Sequence, residues 1–392
     1  MVPNGWEKSD LTHLITIKHG FAFKSEFYSD KGQYVLLTPG SFYETGGFRD
    51  QGSKTKYYIG DIPDGYILSQ GDMLLAMTEQ AEGLLGSALF VPENNRYLHN
   101  QRLGLVQILN QEKVCKDFLY LFFNSPSIRK QITEQSTGTK VKHTSPDRLC
   151  SVIGLIPPLK EQQKIAEIIS SWDQAISATE RLLENSQQQK KALMQQLLTG
   201  KKRLLDENGV KFSDEWQRIE LGLLLDYQQP TPYLVESTAY SDSYETPVLT
   251  AGKTFILGYT NESSGIYQDQ LPVIIFDDFT TDSKYVNFPF KAKSSAMKIL
   301  TAKKGVSIKF VFEAMQMLQF TVGGHQRHWI SIFSNLVIPL PNKKEQQQIV
   351  EVLSLADQEI ETLQKKLDCL QQEKKALMQQ LLTGKKRVKV AA

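Results

Sequence analysis

The sequence is short of several things that would assign a chemistry at once. Cysteine occurs only three times in 392 residues, at Cys115, Cys150 and Cys369. An odd number of widely spaced cysteines, with no CxxC or Cys/His ligand spacing, argues against both disulfides and a zinc site; all three are expected to be reduced packing residues. No apolar run approaches the ~18 residues needed to cross a bilayer, and the opening MVPNGWEKSDL has no basic segment followed by an apolar stretch. A cytoplasmic chain with no membrane association is therefore expected. There is no GxxxxGK[ST] phosphate loop and no NPPY-like tetrapeptide of the adenine-methylating kind. The crowded acids of FDDFTTDSK, namely Asp277, Asp278 and Asp282 beside Lys284, lie in one strand and turn, whereas a metal-dependent nuclease gathers such groups from separate strands. An excess of either charge is missing too: 45 basic against 43 acidic residues leave a net charge of +2, below the strongly basic footprint of a simple nucleic-acid binder. By segment the net charge is 0 for residues 1–155, +2 for 156–212, −3 for 213–340 and +3 for 341–392. A polyanion would have to meet basic groups gathered on one face, or a partner that supplies positive charge.

What is present is a repeat. A chain of 392 residues exceeds one ordinary hydrophobic core, so two domains with connecting structure are expected. KKALMQQLLTGKKR runs from Lys190 to Arg203 and recurs without change from Lys374 to Arg387. At the same offset of 184, EQQKIAEIISSWDQAI from Glu161 aligns with EQQQIVEVLSLADQEI from Glu345, so each copy spans 43 positions. Within each copy the residues spaced by four and three form one heptad seam. The first seam holds Ile165, Ile169, Trp172, Ile176, Thr179, Leu183, Ser186, Lys190, Leu193 and Leu197; the second holds Ile349, Leu353, Ala356, Ile360, Leu363, Leu367, Leu370, Lys374, Leu377 and Leu381. Prolines at 157, 158, 339 and 341 precede the two helices, and Gly200 and Gly384 stop them, each followed by Lys-Lys-Arg beside the negative end of the helix dipole. Packing the pair in parallel would set Lys190 level with Lys374, so an antiparallel coiled coil is expected.

Residues 1–155 and 213–340 each precede one helix and retain traces of a shared plan: GWEKSDL near Trp6 against EWQRIEL near Trp216, and YVLLTPGSF around Thr38 against PVLTAGKTF around Thr250. Met73–Met77 and Val273–Phe276 read as matching strands, and Phe118–Phe123 and Phe310–Leu318 as short helices. The expected fold class is α+β: two globular domains of mixed α/β character, with a pseudo-twofold internal repeat. Its segments are 1–155, the first helix and linker 156–212, the second domain 213–340, and the second helix and tail 341–392.

This layout resembles the specificity (S) subunits of type I restriction-modification systems over essentially the whole chain. The resemblance is carried by GWEKSDLTHLITIKHGFAFKS, by IPPLKEQQKIAEII and IPLPNKKEQQQIVEVL, and by both KKALMQQLLTGKKR helix ends. It implies that each arm is a target-recognition domain for half of an asymmetric bipartite site in double-stranded DNA. The helices then set the spacing and dock two methyltransferase subunits, with restriction subunits joining the full complex. It also implies that this chain is non-catalytic and binds no cofactor, S-adenosylmethionine, ATP and Mg serving the partner subunits. The alternative of another class is a coiled-coil scaffold whose arms bind proteins or glycans.

Sequence readout needs side chains that present paired donors or acceptors to base edges, with Lys, Arg, hydroxyls and backbone amides on phosphates. In the first arm the loop STGTKVKHTSPDR offers Thr137, Gly138, Thr139, Lys140, Lys142 and His143, with a solvated surface loop as the plain alternative. Arg102 suits a bidentate contact with guanine or, equally, a structural salt bridge; Lys54, Lys56 and the adjoining Tyr57 form a weaker set. In the second arm VGGHQRHW supplies His325, Gln326, Arg327 and His328, and Lys253 and Lys284 are further candidates. The two histidines have no evident third ligand, so no metal is expected there.

Overall fold

The computed structural model describes residues 2–79, 83–138, 141–250, 254–318 and 328–390. It divides into two units, residues 1–178 with 367–392, and residues 179–366. Each holds one arm and one segment of each long helix.

In the first unit the chain builds a four-stranded antiparallel sheet in the order Ile15–His19, Leu103–Ile108, Met73–Ala76, Ala88–Phe90. Met73–Ala76 is an interior strand buried at every position, which is why it reads as an unbroken apolar run. A second sheet pairs Tyr34–Leu36 in parallel with Tyr97–Leu98. A third joins Glu7–Ser9 to Gly154–Ile156, bringing the two ends of the arm together beside the long helix. Helices Lys116–Phe123 and Pro126–Glu134 cover the main sheet, contributing Phe118, Phe122, Ile128 and Ile132 to the core.

The second unit repeats this plan. Its sheet runs Leu225–Gln228, Met297–Ala302, Val273–Asp277, Ser283–Val286, all antiparallel. Thr246–Leu249 is parallel to Lys291–Ala292, and Gln217–Glu220 pairs with Val337–Leu340. The arm helix is Ile308–Gln316. Registers also repeat: Glu7 faces Ile156, and Gln217 faces Leu340.

The long helices are Leu159–Leu197 and Lys343–Leu382, each ~60 Å at 1.5 Å per residue. All twenty expected seam positions are buried or half-buried. Gly200 and Gly384 follow the helix ends with φ of +72° and +66°, a left-handed conformation that favours glycine. Within the first unit the two helix segments run antiparallel, since Asp173 meets Lys374 while the earlier Glu161 meets the later Arg387. Within the second, Lys190 meets Asp357 and Arg203 meets Glu345, again antiparallel.

The cysteines correct one expectation. All three are free and Cys150 is buried, but Cys369 is exposed on the second long helix, with Sγ 3.6 Å from a Glu373 carboxylate oxygen. It points away from the seam because it lies two residues after Leu367, off the heptad stripe.

Candidate nucleic-acid interface and the clasps beneath it

The best-built polar sites join each arm to the helices. In the first unit the buried carboxylate of Glu161 accepts from Arg387 Nε at 2.9 Å and Nη2 at 2.5 Å, and from the indole N–H of Trp6 at 3.2 Å. The guanidinium also lies over the Trp6 ring, 5.5 Å from its centre, and donates to the Asn4 carbonyl at 3.0 Å. In the second unit Glu345 accepts from Arg203 Nε at 2.6 Å and Nη2 at 2.7 Å, and from Trp216 Nε1 at 3.0 Å. Arg203 in turn lies over the Trp216 ring and donates to the Asp214 carbonyl at 3.0 Å. A planar guanidinium forked onto a carboxylate and stacked on an indole fixes both distance and angle.

The neighbouring glutamines do a second job. Gln162 Nε2 donates to the carbonyls of Pro157 and Lys113, and its Oε1 accepts the Cys115 backbone N–H that opens the arm helix. Gln346 Nε2 donates to the Pro341 carbonyl and its Oε1 accepts the Ser307 N–H. The repeated Glu-Gln pair therefore ties together the arm's first strand, its late helix, the start of one long helix and the basic end of the other. Sequence reasoning assigned the Lys-Lys-Arg ends to the helix dipole; the arginines instead pair with the opposite helix. The signal was available, because Trp, Glu, Gln and Arg all recur in both copies.

Arg387 and, more weakly, Trp6 hold the Glu161 carboxyl below its ordinary value of 4.5, against the opposing effect of burial. A carboxyl depressed in the folded state contributes stability that is complete above its unfolded pKa and is lost as pH falls through the folded one. The first unit should therefore melt at progressively lower temperature as pH falls through and below the ordinary carboxyl value of 4.5, with a shallower dependence in Glu161→Gln over the same range. Parallel pH profiles for the two proteins would disprove this.

The candidate DNA-contacting residues are distributed over the arms. Thr139, Lys140, Lys253, His325, Gln326 and Arg327 lie outside the described residues. Lys142 and His143 form a short strand against Thr78 and Glu79, and His143 Nδ1 is 3.3 Å from Thr78 Oγ1. Thr137 and His143 exchange backbone hydrogen bonds of 3.0 and 2.8 Å, closing the loop between them. Gly138 sits in this turn at φ +101°, where a Cβ would fall 2.1 Å from the Val141 carbonyl oxygen, so the turn requires glycine. Arg102 is exposed and enters no ion pair among the described residues. Lys54 ends a 3-10 turn, and Lys56 pairs loosely with Asp30 at 3.7 Å across an exposed surface just before the strand Tyr57–Tyr58, which belongs to a different sheet from Lys142–His143. Lys284 is exposed on the strand Ser283–Val286. Met77 bridges two of these sets, its N–H donating to the Arg102 carbonyl at 2.9 Å and its carbonyl accepting the N–H of Thr144, next to His143, at 3.0 Å. The acids of FDDFTTDSK have structural partners: Asp277 accepts from the amides of Phe279 and Thr280, and Asp278 accepts from the Trp329 amide and lies 3.6 Å from Lys298.

Two α/β arms of one strand order, each clasped to a pair of long helices by the same Trp-Glu-Arg set, define an internally duplicated two-armed protein. The family described as the type I restriction modification DNA specificity domain matches residues 3–186 and 213–372, and the chain belongs to it. The specificity subunit of the type I restriction enzyme EcoR124I/EcoR124II of Escherichia coli is 54% identical over 132 residues, 32% of each chain. That match spans about a third of the relative's length. The putative type I restriction enzyme MjaX specificity subunit of Methanocaldococcus jannaschii is 25% identical over 99% of this chain and 95% of its own. The crystal structure of the type-I restriction-modification S subunit from M. genitalium covers 97% of this chain and 98% of its own, with a TM-score of 0.66 at 15% identity, a likeness of fold. Among the described residues no helix is long and apolar enough to cross a membrane.

Proposed function

We propose that this chain is the DNA-specificity subunit of a type I restriction-modification complex, in which each arm reads one half of an asymmetric bipartite site. Residues 1–155 and 213–340 serve as the two target-recognition domains. Residues 156–212 and 341–392 form an antiparallel coiled coil that sets the distance between half-sites and docks two methyltransferase subunits, restriction subunits joining in the full complex. The chain is non-catalytic and cytoplasmic; S-adenosylmethionine, ATP and Mg serve the partners. The observation that carries this reading is the contrast between repeated attachment and unlike arms: matching clasps and one strand order hold arms whose exposed loops share little sequence. Identical attachments suit identical partners, and unlike arms suit unlike half-sites.

With net charge near zero, the positive face has to be local: Lys142, His143 and Arg102 in the first arm and Lys284 in the second are the described residues best placed for contact, together with the candidates in the undescribed loops. The test is protection of DNA by the chain mixed with an adenine methyltransferase subunit. One asymmetric split sequence should be protected, and if 6–10 phosphates are contacted the affinity should fall by about 10³–10⁵ between about 50 and 200 mM salt. Binding without sequence preference would overturn the reading in favour of a scaffold for other ligands.

A further inference from the structure

Each long helix carries a lysine in its apolar seam, and each lysine pairs with an aspartate of the other helix: Lys190 with Asp357 at 2.6 Å, and Lys374 with Asp173 at 2.5 Å. What surrounds the two pairs differs. In the second unit the arm helix Ile308–Gln316 presents Lys309 and Glu313 to the pair. Lys190 Nζ lies 3.2 Å from Glu313 Oε2, and Lys309 Nζ lies 2.8 Å from Glu313 Oε1 and 3.4 Å from Asp357 Oδ2. Four charges thus alternate around a closed ring, each carboxylate between two ammonium groups. The Glu313 side chain is 1% exposed and the lysines 18% and 19%. Lys309 also faces Tyr285 and Phe312, with Nζ 4.9 and 5.1 Å from the ring centres. Burial pulls the Lys309 pKa down, but Glu313 and Asp357 outweigh it and leave the ammonium above its ordinary value.

The first arm has the same framework without the ring. Its helix is registered by the same device, because the Cys115 N–H meets Gln162 as the Ser307 N–H meets Gln346. That register equates Asp117 with Lys309 and Leu121 with Glu313. Among the ion pairs of the described residues, Asp173 and Lys374 have only each other, and Asp173 is 50% exposed. Beside them lies an open groove of about 510 Å³ lined by Asp117, Tyr120, Leu121, Ile169 and Asp173.

Glu313 is held by proximity of charge, its two oxygens lying within ion-pair distance of the lysines but outside hydrogen-bond geometry; apolar packing is non-directional and tolerates sliding, whereas a buried set of opposite charges comes together in one register only and is costly to break at one member. We propose that the ring of Lys190, Asp357, Lys309 and Glu313 is a positioning device that locks the second arm in register on both long helices, leaving the first arm the compliant one. The inference rests on the reading of the arms as half-site readers: the lock fixes where the second half-site is presented, and loosening it broadens the gap between half-sites that the protein accepts.

The double substitution Lys309→Asp with Glu313→Leu gives the second arm the residues that the first carries at those positions and leaves Lys190 and Asp357 with only each other as ion-pair partners. The full chain, assembled with its methyltransferase subunits, is then presented with split sites whose gap is native or one base pair longer or shorter. Discrimination against the altered gaps should weaken about tenfold, about 1.4 kcal/mol, with base preference in both halves unchanged. Unaltered gap discrimination, or loss of base preference in the second half alone, overturns the proposal. Amide hydrogen exchange of the wild-type chain supplies a measurement independent of the variant's folding: Ile308–Gln316 should exchange more slowly than Lys116–Phe123, and equal or faster exchange overturns the lock. Absence of any split-site preference in the wild-type complex defeats the functional reading instead, while the exchange contrast still tests the ring.

Discussion

Glu345→Gln is expected to destabilise the second unit by about 3 kcal/mol, lowering its melting temperature by about 6–12 °C for a unit of this size. The carboxylate is fully buried and neutralises an Arg203 guanidinium whose side chain is only 16% exposed. Glutamine keeps the shape and one acceptor oxygen, so the Trp216 indole can retain its bond. It cannot keep the charge or the fork, and a buried cation left without its counter-ion costs more than the pair contributed. The matching Glu161→Gln should cost less, since Arg387 is 39% exposed and recovers water when its partner is lost. The check is calorimetry of both variants. A loss below about 1 kcal/mol for Glu345→Gln would place the clasp among ordinary surface ion pairs and remove its role as the attachment of the arm.

Adding seven residues to both helices, between Glu180 and Arg181 and between Lys366 and Leu367, is expected to lengthen the accepted gap by about three base pairs without changing either half-site. Seven residues are two turns, ~10.5 Å, and a base pair rises ~3.4 Å. A heptad also returns the apolar seam to the same face. The positions are chosen so that Glu161–Arg387 and Asp173–Lys374 stay together in the first unit, and Lys190–Asp357 and Arg203–Glu345 in the second. The same insertion in one helix alone puts the pairs of one unit out of register, and binding to the split site should then collapse. Methylation of a library of gap lengths reads both outcomes; an unchanged gap after the double insertion rejects the helices as a ruler.

The parts of the fold legible in the sequence are those set by local periodicity. The heptad seam is a property of consecutive turns of one helix, so all its positions could be named before any tertiary contact was known. The arm helices and the strands at Met73 and Val273 were legible for the same reason: a short apolar run bounded by turn residues needs no distant partner to be recognised. The clasps and the charge ring were not. Arg387 and Glu161 are 226 residues apart, and a lysine-arginine run at a helix end has a sufficient local explanation in the dipole. Lys309 and Glu313 are only four residues apart on a short helix, a spacing that explains their pairing locally, and only the packed helices bury them. The DNA-contacting candidates rest on exposure and groove geometry, which a sequence does not encode locally. Of these, Lys142 and His143 fall on a strand, and Arg102 is exposed and outside every ion pair of the described residues.

Neither repeat supplies the counter-charge of its own buried glutamate: Glu161 takes its arginine from the second copy and Glu345 from the first. A chain made from N- to C-terminus therefore has every partner of the second unit in hand once residue 366 has emerged, whereas the first unit waits for residues 367–387. Until then Ile165 and Ile169, which pack against Trp6 and Leu381 in the finished protein, have no cover from the second helix. Long-range closure of this kind is slow, and exposed apolar surface during the delay invites association with other chains. The arm synthesised first is thus the arm completed last.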